Sequence, residues 1–168
     1  ANCGKSSVMV TAVKFQTYTA ETMTLDLPQF AISEDHELWG GVPLYQLYKE
    51  AMTPWEWHEE LFNFAINKGL ILFSSPFDLS AVEFLESLYC PIYKIASLES
   101  SDHRLIKAVA ETGKPIIAST GATLLEEIED LVNLVYSTGN KNLTLLVCTS
   151  SYPADPAEAN LKRIATLQ

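Results

Sequence analysis

The sequence predicts an α/β protein whose parallel strands alternate with helices, and two observations carry that reading. Apolar, largely β-branched runs begin at residues 70, 92, 115 and 143, with helix-spaced segments between them. Parallel neighbours need a crossover of about that length. The runs also end in small polar clusters. These are Ser74-Ser75-Pro76-Phe77, Lys94-Ile95-Ala96-Ser97, Ser119-Thr120-Gly121 and Cys148-Thr149-Ser150-Ser151, with Lys14-Phe15-Gln16-Thr17 ahead of them. In a parallel sheet or a barrel all strand C-termini point one way. The clusters then converge on one face, where such folds bind ligands.

Each element has a local reason. Residues 53–68 read as a helix: Thr53-Pro54-Trp55-Glu56 has capping-box spacing with proline at the first position. Trp57, Leu61, Phe64 and Ala65 follow at helical intervals, and Gly69 supplies a left-handed stop. A buried strand runs over 70–75. A short helix over 80–88 presents Val82, Leu85 and Leu88, and a strand covers 92–97. Asp102 caps a helix carrying Leu105, Ile106, Val109 and Ala110, closed by Gly113. After the strand at 115–120, Thr123-x-x-Glu126 is a second capping box opening a helix through Ile128, Leu131, Val132 and Val135. Gly139-Asn140 ends it, a strand covers 143–150, and a last helix spans 156–167. Residues 19–52 break the period and read as a long strand-to-helix insertion with a helix near 43–48, the usual place for a substrate lid. The segment before Val13 is too short for a complete unit, which implies chain outside these residues.

The chain has 168 residues, 48% of them apolar, enough for one domain with a real core. Acidic residues outnumber basic ones by 21 to 11, for a net charge of −10, which disfavours nonspecific nucleic-acid binding. Cys3, Cys90 and Cys148 have no paired spacing, so a reducing, cytoplasmic setting is expected. No apolar run is long enough for a membrane span, and no signal peptide is evident. No Gly-x-Gly-x-x-Gly follows a strand, which disfavours a Rossmann or flavodoxin-like dinucleotide domain.

From Val13-Lys14-Phe15-Gln16-Thr17-Tyr18 onward the chain resembles the sialic acid synthase family. The match continues through Ser74-Ser75-Pro76-Phe77-Asp78, Tyr93-Lys94-Ile95-Ala96-Ser97, Ser119-Thr120-Gly121 and Cys148-Thr149-Ser150-Ser151-Tyr152-Pro153, in order and with compatible spacing. Gln16-Thr17-Tyr18-Thr19, Leu44-Tyr45-x-Leu47-Tyr48 and Thr53-Pro54-Trp55-Glu56-Trp57-His58 are most similar to the pseudaminic acid synthase branch. The resemblance implies a (β/α)8 TIM barrel, here incompletely represented as strands two to about six. Residues 1–168 would form part of the catalytic domain, without the family's C-terminal antifreeze-like domain. It implies phosphoenolpyruvate-dependent condensation with an open-chain N-acetylated amino sugar, a divalent metal, expected to be Mn²⁺, and a homodimer in the full-length protein. Of the family's opening Asn-His-x-Gly turn only Asn2, Cys3 and Gly4 have counterparts, and the usual upstream Glu and metal-binding histidines have none. The catalytic acid and metal ligands are therefore expected outside this chain. The alternative is an inactive fragment that binds anions without turnover.

Condensation needs fixed positive charge for the anionic substrate. Lys14 and Lys94 are lone lysines at equivalent places in apolar strands, where a charge is costly unless paired. A bound phosphate or carboxylate would pair them. Gln16 lies two residues from Lys14 and shares its side of the strand. Ser75, Ser97 and Ser119, just past strand ends, are expected to donate to phosphate oxygens. Phe77 is a candidate substrate contact and equally a core ring. Ser150 and Tyr152 match the family's sugar side, with Ser150 where the neuraminate branch has Asn. His36, His58 and His103 are expected at the surface, Cys148 in the core, Trp57 packed between helix and barrel, and Trp39 in the lid.

Overall fold

The computed structural model describes residues 11–36, 39–151 and 154–168. Strands β1 (Ala12–Thr17), β2 (Ile71–Pro76), β3 (Tyr93–Ile95), β4 (Ile116–Ser119) and β5 (Leu143–Leu146) form one sheet in chain order, and every neighbouring pair is parallel. The order never reverses, as it must in a doubly wound sheet. Sequential parallel strands joined through helices are the staves of a (β/α)8 barrel, and this sheet is an incomplete set of them. The helices are α1 (Ala20–Met23), α2 (Leu44–Ala51), α3 (His58–Asn67), α4 (Leu79–Ser87), α5 (His103–Glu111), α6 (Leu125–Ser137) and α7 (Arg163–Leu167).

Strand alternation sorts the side chains into two layers. Val13 and Phe15 on β1, Leu72 on β2, Tyr93 and Ile95 on β3, and Ile116 and Ala118 on β4 turn toward the helices. They pack with Leu85, Leu105, Ile106, Val109, Leu131 and Val135 as one core. Each such buried aliphatic is worth about 1.5–3 kcal/mol over exposure. The alternate residues, Lys14 and Gln16 among them, face the other side of the sheet, as the period of two requires.

The start of α5 follows its sequence signal, and α4 has a cap of the same kind. The Asp102 carboxylate accepts from the Arg104 and Leu105 amides, and Asp78 does the same for Ser80 and Ala81. Gly69 takes φ +71, the left-handed region where a side chain is costly.

Several expectations are corrected. The helix expected over 53–68 opens instead as a 3-10 turn, Trp55–Trp57, and becomes α-helical only at His58. Thr53 does not cap it; Pro54 holds that position. The buried face is therefore His58, Phe62 and Ala65, while Trp57 and Phe64 are 57% and 62% exposed. The expected helix over 156–167 is split into a 3-10 turn, Pro156–Glu158, and α7, with Asn160 at φ +42 between them. The capping box expected at Thr123 does not form: the N-cap of α6 is Leu124, which has no side-chain acceptor, and only its amide is capped, donating to Glu127 Oε2 at 2.7 Å. Thr123 instead shares a buried hydroxyl bond of 2.6 Å with Ser100.

The insertion at 19–52 carries α1 and α2, tied by the Tyr45 hydroxyl donating to Glu21 at 2.6 Å. An antiparallel bridge between Ala31 and Pro43 closes its middle. Trp39 is exposed there and stacks on His36.

At the N-terminal end of the strands the sheet is pinned by paired charge. Lys114 Nζ lies 2.5 Å from Glu86 Oε1, which also accepts from the Tyr93 hydroxyl. Burial first, and then that bond, pushes the Tyr93 phenol far above its usual range. Among the described residues no helix is long and apolar enough to cross a membrane.

Candidate functional site

At the C-terminal ends of the strands, a cavity of about 460 Å³ gathers the polar clusters. Its wall includes Lys14 and Gln16 from β1, Ser75 and Phe77 from the end of β2, and Lys94 and Ser97 from β3. Ser119 from β4 and Ser150 from the segment after β5 complete the set expected from the sequence. Tyr152 lies outside the described residues. The sheet register explains the gathering: Gln16 pairs with Ser75 across β1 and β2, and Ser119 with Leu146 across β4 and β5.

The two lysines come together on one cavity wall. Both face the same cavity, and Lys14 is near enough for its charge to act on Lys94. Burial holds the Lys14 amine below the usual lysine value. Lys94 is lowered by burial first and by the Lys14 charge second. Its Nζ donates to the Ile95 carbonyl at 3.2 Å. Among the described residues neither lysine has a carboxylate within ion-pair distance. Lys94 is half-buried and Lys14 is exposed at the cavity wall, and with no ion pair to either among the described residues the two offer positive charge to an anion.

The hydroxyls around them have directions. Ser97 Oγ accepts from the Gly121 amide at 3.3 Å, so its own proton is available to a ligand. Ser119 Oγ lies 3.4 Å from Cys148 Sγ, whose single proton also reaches the Leu146 carbonyl at 3.6 Å. Gly121 is required where it stands: a Cβ there would meet Ser150 Oγ at 2.4 Å and the Cys148 carbonyl at 3.0 Å. That close approach brings the β4 and β5 ends together. Phe77 is partly buried, lines the cavity and packs edge-on against Tyr18 at 5.4 Å.

Three expectations fail at or near the site. His58 is not a surface residue; it is fully buried, bonded to Thr17 and packed among Phe15, Phe62 and Phe84. Its ring forms hydrogen bonds on both sides, so burial is satisfied and not orphaned. Cys148 is half-buried in the cavity wall and outside the core. Trp57 is exposed, and the neighbouring Trp55 takes the packing role, stacked on Phe84 at 4.6 Å.

Sequence reasoning also missed cavity residues, chiefly Glu99, with Met23, Leu98 and Thr149. Glu99 opens a 3-10 turn directly after β3. Burial pushes its carboxyl up, and the Lys94 charge offsets part of that. Glu99 is the first acid after the strand that carries Lys94, but its direction is set by the turn and has no sequence signal. Among the described residues no group of three His, Cys, Asp or Glu side chains comes together. The cavity residues therefore do not by themselves compose a metal centre.

Comparison with known proteins agrees with this geometry. The chain is 46% identical over 155 residues to pseudaminic acid synthase of Helicobacter pylori, covering 92% of this chain and 46% of that protein. It is 40% identical over 157 residues to the Campylobacter jejuni pseudaminic acid synthase, covering 94% and 46%. The chain thus spans about half the length of the curated relatives it matches. Among solved structures, an N-acetylneuraminic acid synthetase from Leptospira borgpetersenii, in complex with citrate, superposes with TM-score 0.77 at 29% identity. That match covers 93% of this chain and 50% of that one. The spore coat polysaccharide biosynthesis protein SpsE of Bacillus subtilis gives TM-score 0.74 at 28% identity, covering 94% and 40%. A family model matches residues 5–168, and with the shared fold and ordered strand-end clusters it establishes that the chain belongs to the NeuB family.

Proposed function

We propose that this chain supplies the phosphoenolpyruvate-binding part of a nonulosonic acid synthase, of the pseudaminic acid type. The observation that carries this reading is the pair Lys14 and Lys94, without an ion-pair carboxylate among the described residues, facing one cavity ringed by serine hydroxyls. The similarity to two pseudaminic acid synthases supports the branch.

In this reading Lys14 and Lys94 hold the phosphate and carboxylate of phosphoenolpyruvate, and Ser75, Ser97 and Ser119 donate hydrogen bonds to its oxygens. A preorganised set of donors needs no rearrangement as charge shifts during reaction. Gln16 orients the ligand from the β1 side. Ser150 and Thr149, at the β5 end, face the second substrate, an open-chain N-acetylated amino sugar. C3 of phosphoenolpyruvate attacks the aldehyde carbon, water adds at C2, and the C2–O bond to phosphate breaks. Binding both reactants on adjacent strand ends gives that step its proximity. A divalent metal, Mn²⁺ by family resemblance, would polarise the aldehyde oxygen. Its ligands would come from outside this chain, and nothing above is assigned to it.

Phosphate release by the full-length protein, given phosphoenolpyruvate and a panel of N-acetylated amino sugars, tests the reading. Turnover with one such sugar and titratable binding of phosphoenolpyruvate alone are expected. Absence of phosphoenolpyruvate binding by calorimetry overturns it.

A further inference from the structure

Behind Gln16 and Ser75, on the helix side of the sheet, runs a buried polar chain that the cavity does not use. His58, at the start of α3, is fully buried. Its Nδ1 lies 3.2 Å from the Pro54 carbonyl, and its Nε2 lies 2.9 Å from Thr17 Oγ1. Thr17 Oγ1 is in turn 2.8 Å from Ser74 Oγ. A carbonyl only accepts, so Nδ1 carries the proton and Nε2 of the neutral ring is an acceptor. The Thr17 hydroxyl then donates to Nε2 and accepts from the Ser74 hydroxyl. One carbonyl sets the direction of every bond in the chain.

The two hydroxyl residues are the immediate neighbours of two cavity residues. Thr17 follows Gln16, and Ser74 precedes Ser75, and Gln16 pairs with Ser75 in register. Because side chains alternate along a strand, the hydroxyls point to the helices while Gln16 and Ser75 reach the cavity. The Thr17–Ser74 bond therefore ties β1 to β2 at the height of the site.

We propose that His58 is a positioning residue for the anion site: its neutral ring, through Thr17 and Ser74, fixes the strand ends that present Gln16 and Ser75. This rests on the anion-site reading above. The groups facing the ring are Phe15 and Thr17 from β1, the Pro54 and Trp55 backbone, Phe62 from α3 and Phe84 from α4, with Ser74 of β2 behind Thr17. None of these neighbours carries a charge, so a protonated ring has no counter-ion there. It would also present a donor to Thr17 where the neutral ring accepts. Burial holds the ring's pKa below its ordinary 6.5, and backbone contacts to Pro54 and Trp55 offset part of that. Acidification is thus expected to loosen the β1–β2 end and release the anion.

The test compares Thr17→Val, which removes the hydroxyl, with Thr17→Ser, which keeps it, in the full-length protein. Thr17→Val is expected to raise the Kd for phosphoenolpyruvate about tenfold, with Thr17→Ser within about twofold of wild type, the loss of one buried hydrogen-bond link. The affinity ratio of wild type to Thr17→Val should shrink as pH falls, a comparison that cancels the ligand's own titration. Unchanged affinity in Thr17→Val together with a lowered Tm reduces the chain to a purely structural role and overturns the proposal. Amide exchange without ligand gives a second readout. Faster exchange confined to peptides holding Gln16 and Ser75 supports the proposal, and a uniform rise across α5 and β4 overturns it. Should wild type take up no phosphoenolpyruvate, the anion-site reading falls, and the exchange pattern alone decides whether His58 orders these strand ends. If Thr17→Val does not fold, Ser74→Ala breaks the same chain from its other end, with the same readouts.

Discussion

Lysines at opposite ends of the strands show two ways for one sheet to carry positive charge. At the N-terminal end Lys114 is matched: Glu86 lies 2.5 Å away, and the ammonium stands 5.7 Å from the Tyr93 ring centroid. At the C-terminal end Lys14 and Lys94 face each other's charge across a cavity, and burial lowers both. The first arrangement is complete without a ligand. The second would be completed by a ligand in the reading proposed here. Stability alone gives no reason to place a half-buried ammonium group, Lys94, beside a second cation, because Lys94 costs desolvation and the two repel.

The sharpest way to break the comparison is to remove one lysine from each end. Lys94→Ala is expected to weaken phosphoenolpyruvate binding about 100-fold or more, the scale for truncating one side of a buried charge contact. The Tm of the unliganded protein should hold or rise, since a repulsive pair is relieved. Lys114→Ala should do the opposite, leaving affinity unchanged while costing about 1–3 kcal/mol of stability, because Glu86 and the Tyr93 hydroxyl lose their cation. Calorimetry with phosphoenolpyruvate and thermal melts read both variants. Equal effects of the two substitutions on binding would remove the distinction between the ends.

A second test distorts the binding end without touching charge. In Gly121→Ala the new methyl would meet Ser150 Oγ at 2.4 Å and the Cys148 carbonyl at 3.0 Å. The hydroxyl can rotate away, but the backbone carbonyl cannot move without shifting the β5 end. A cost of about 1–3 kcal/mol is expected, as for other overpacked sites. The KM for the sugar should rise more than that for phosphoenolpyruvate if Ser150 faces the sugar as proposed. A variant that melts like wild type with both KM values unchanged would show that this approach is not needed.

How much of this was legible beforehand differs between the two ends for physical reasons. The cavity set was readable because strand alternation and strand-end position are local properties: Lys14, Gln16, Ser75, Lys94 and Ser119 need only a strand and its direction to be placed. The fold was readable for the same reason, since the recurring strand interval dictates parallel order. The phase of α3 was not readable. Trp57, Phe64 and His58 are arranged so that polarity points the wrong way: two aromatics are exposed and the histidine is buried. Besides the local Pro54 carbonyl, the ring is satisfied by the Thr17 hydroxyl, itself bonded to Ser74, and pairing across 41 and 57 residues has no local signature. Glu99 was missed because its role depends on where the turn after β3 sends it, and a turn has no period to read.

pH offers a gentler probe of the same contrast. A bound anion favours the charged form of Lys94, whose free amine is held below the ordinary 10.5. Affinity for phosphoenolpyruvate is then present at neutral pH and lost as pH rises through the lowered Lys94 value, earlier than for an ordinary lysine. The unliganded protein has the opposite slope. Between the lowered value and 10.5 the unfolded chain holds more protons, so stability from this group rises with pH over that window. Binding and melting curves taken in parallel at alkaline pH should therefore diverge. Curves that fall together would mean that general unfolding, and not lysine deprotonation, removes the ligand.

The smallest expected effect concerns Glu99, the carboxylate that comes nearest to making the upper lysines resemble Lys114. It feels the Lys94 charge yet forms no ion pair with it among the described residues, and burial raises its own carboxyl. Glu99→Gln removes one negative charge from a cavity meant for an anion and leaves the shape intact. Phosphoenolpyruvate should then bind about two- to fivefold more tightly at neutral pH, the size of a partly screened charge interaction of 0.4–1 kcal/mol. Lys94 would lose a stabilising neighbour and titrate lower, so the alkaline loss of affinity should move to lower pH in the same variant. Weaker binding in Glu99→Gln would instead make Glu99 a group that holds the ligand or orients Lys94, and the lysine pair alone would not account for the site.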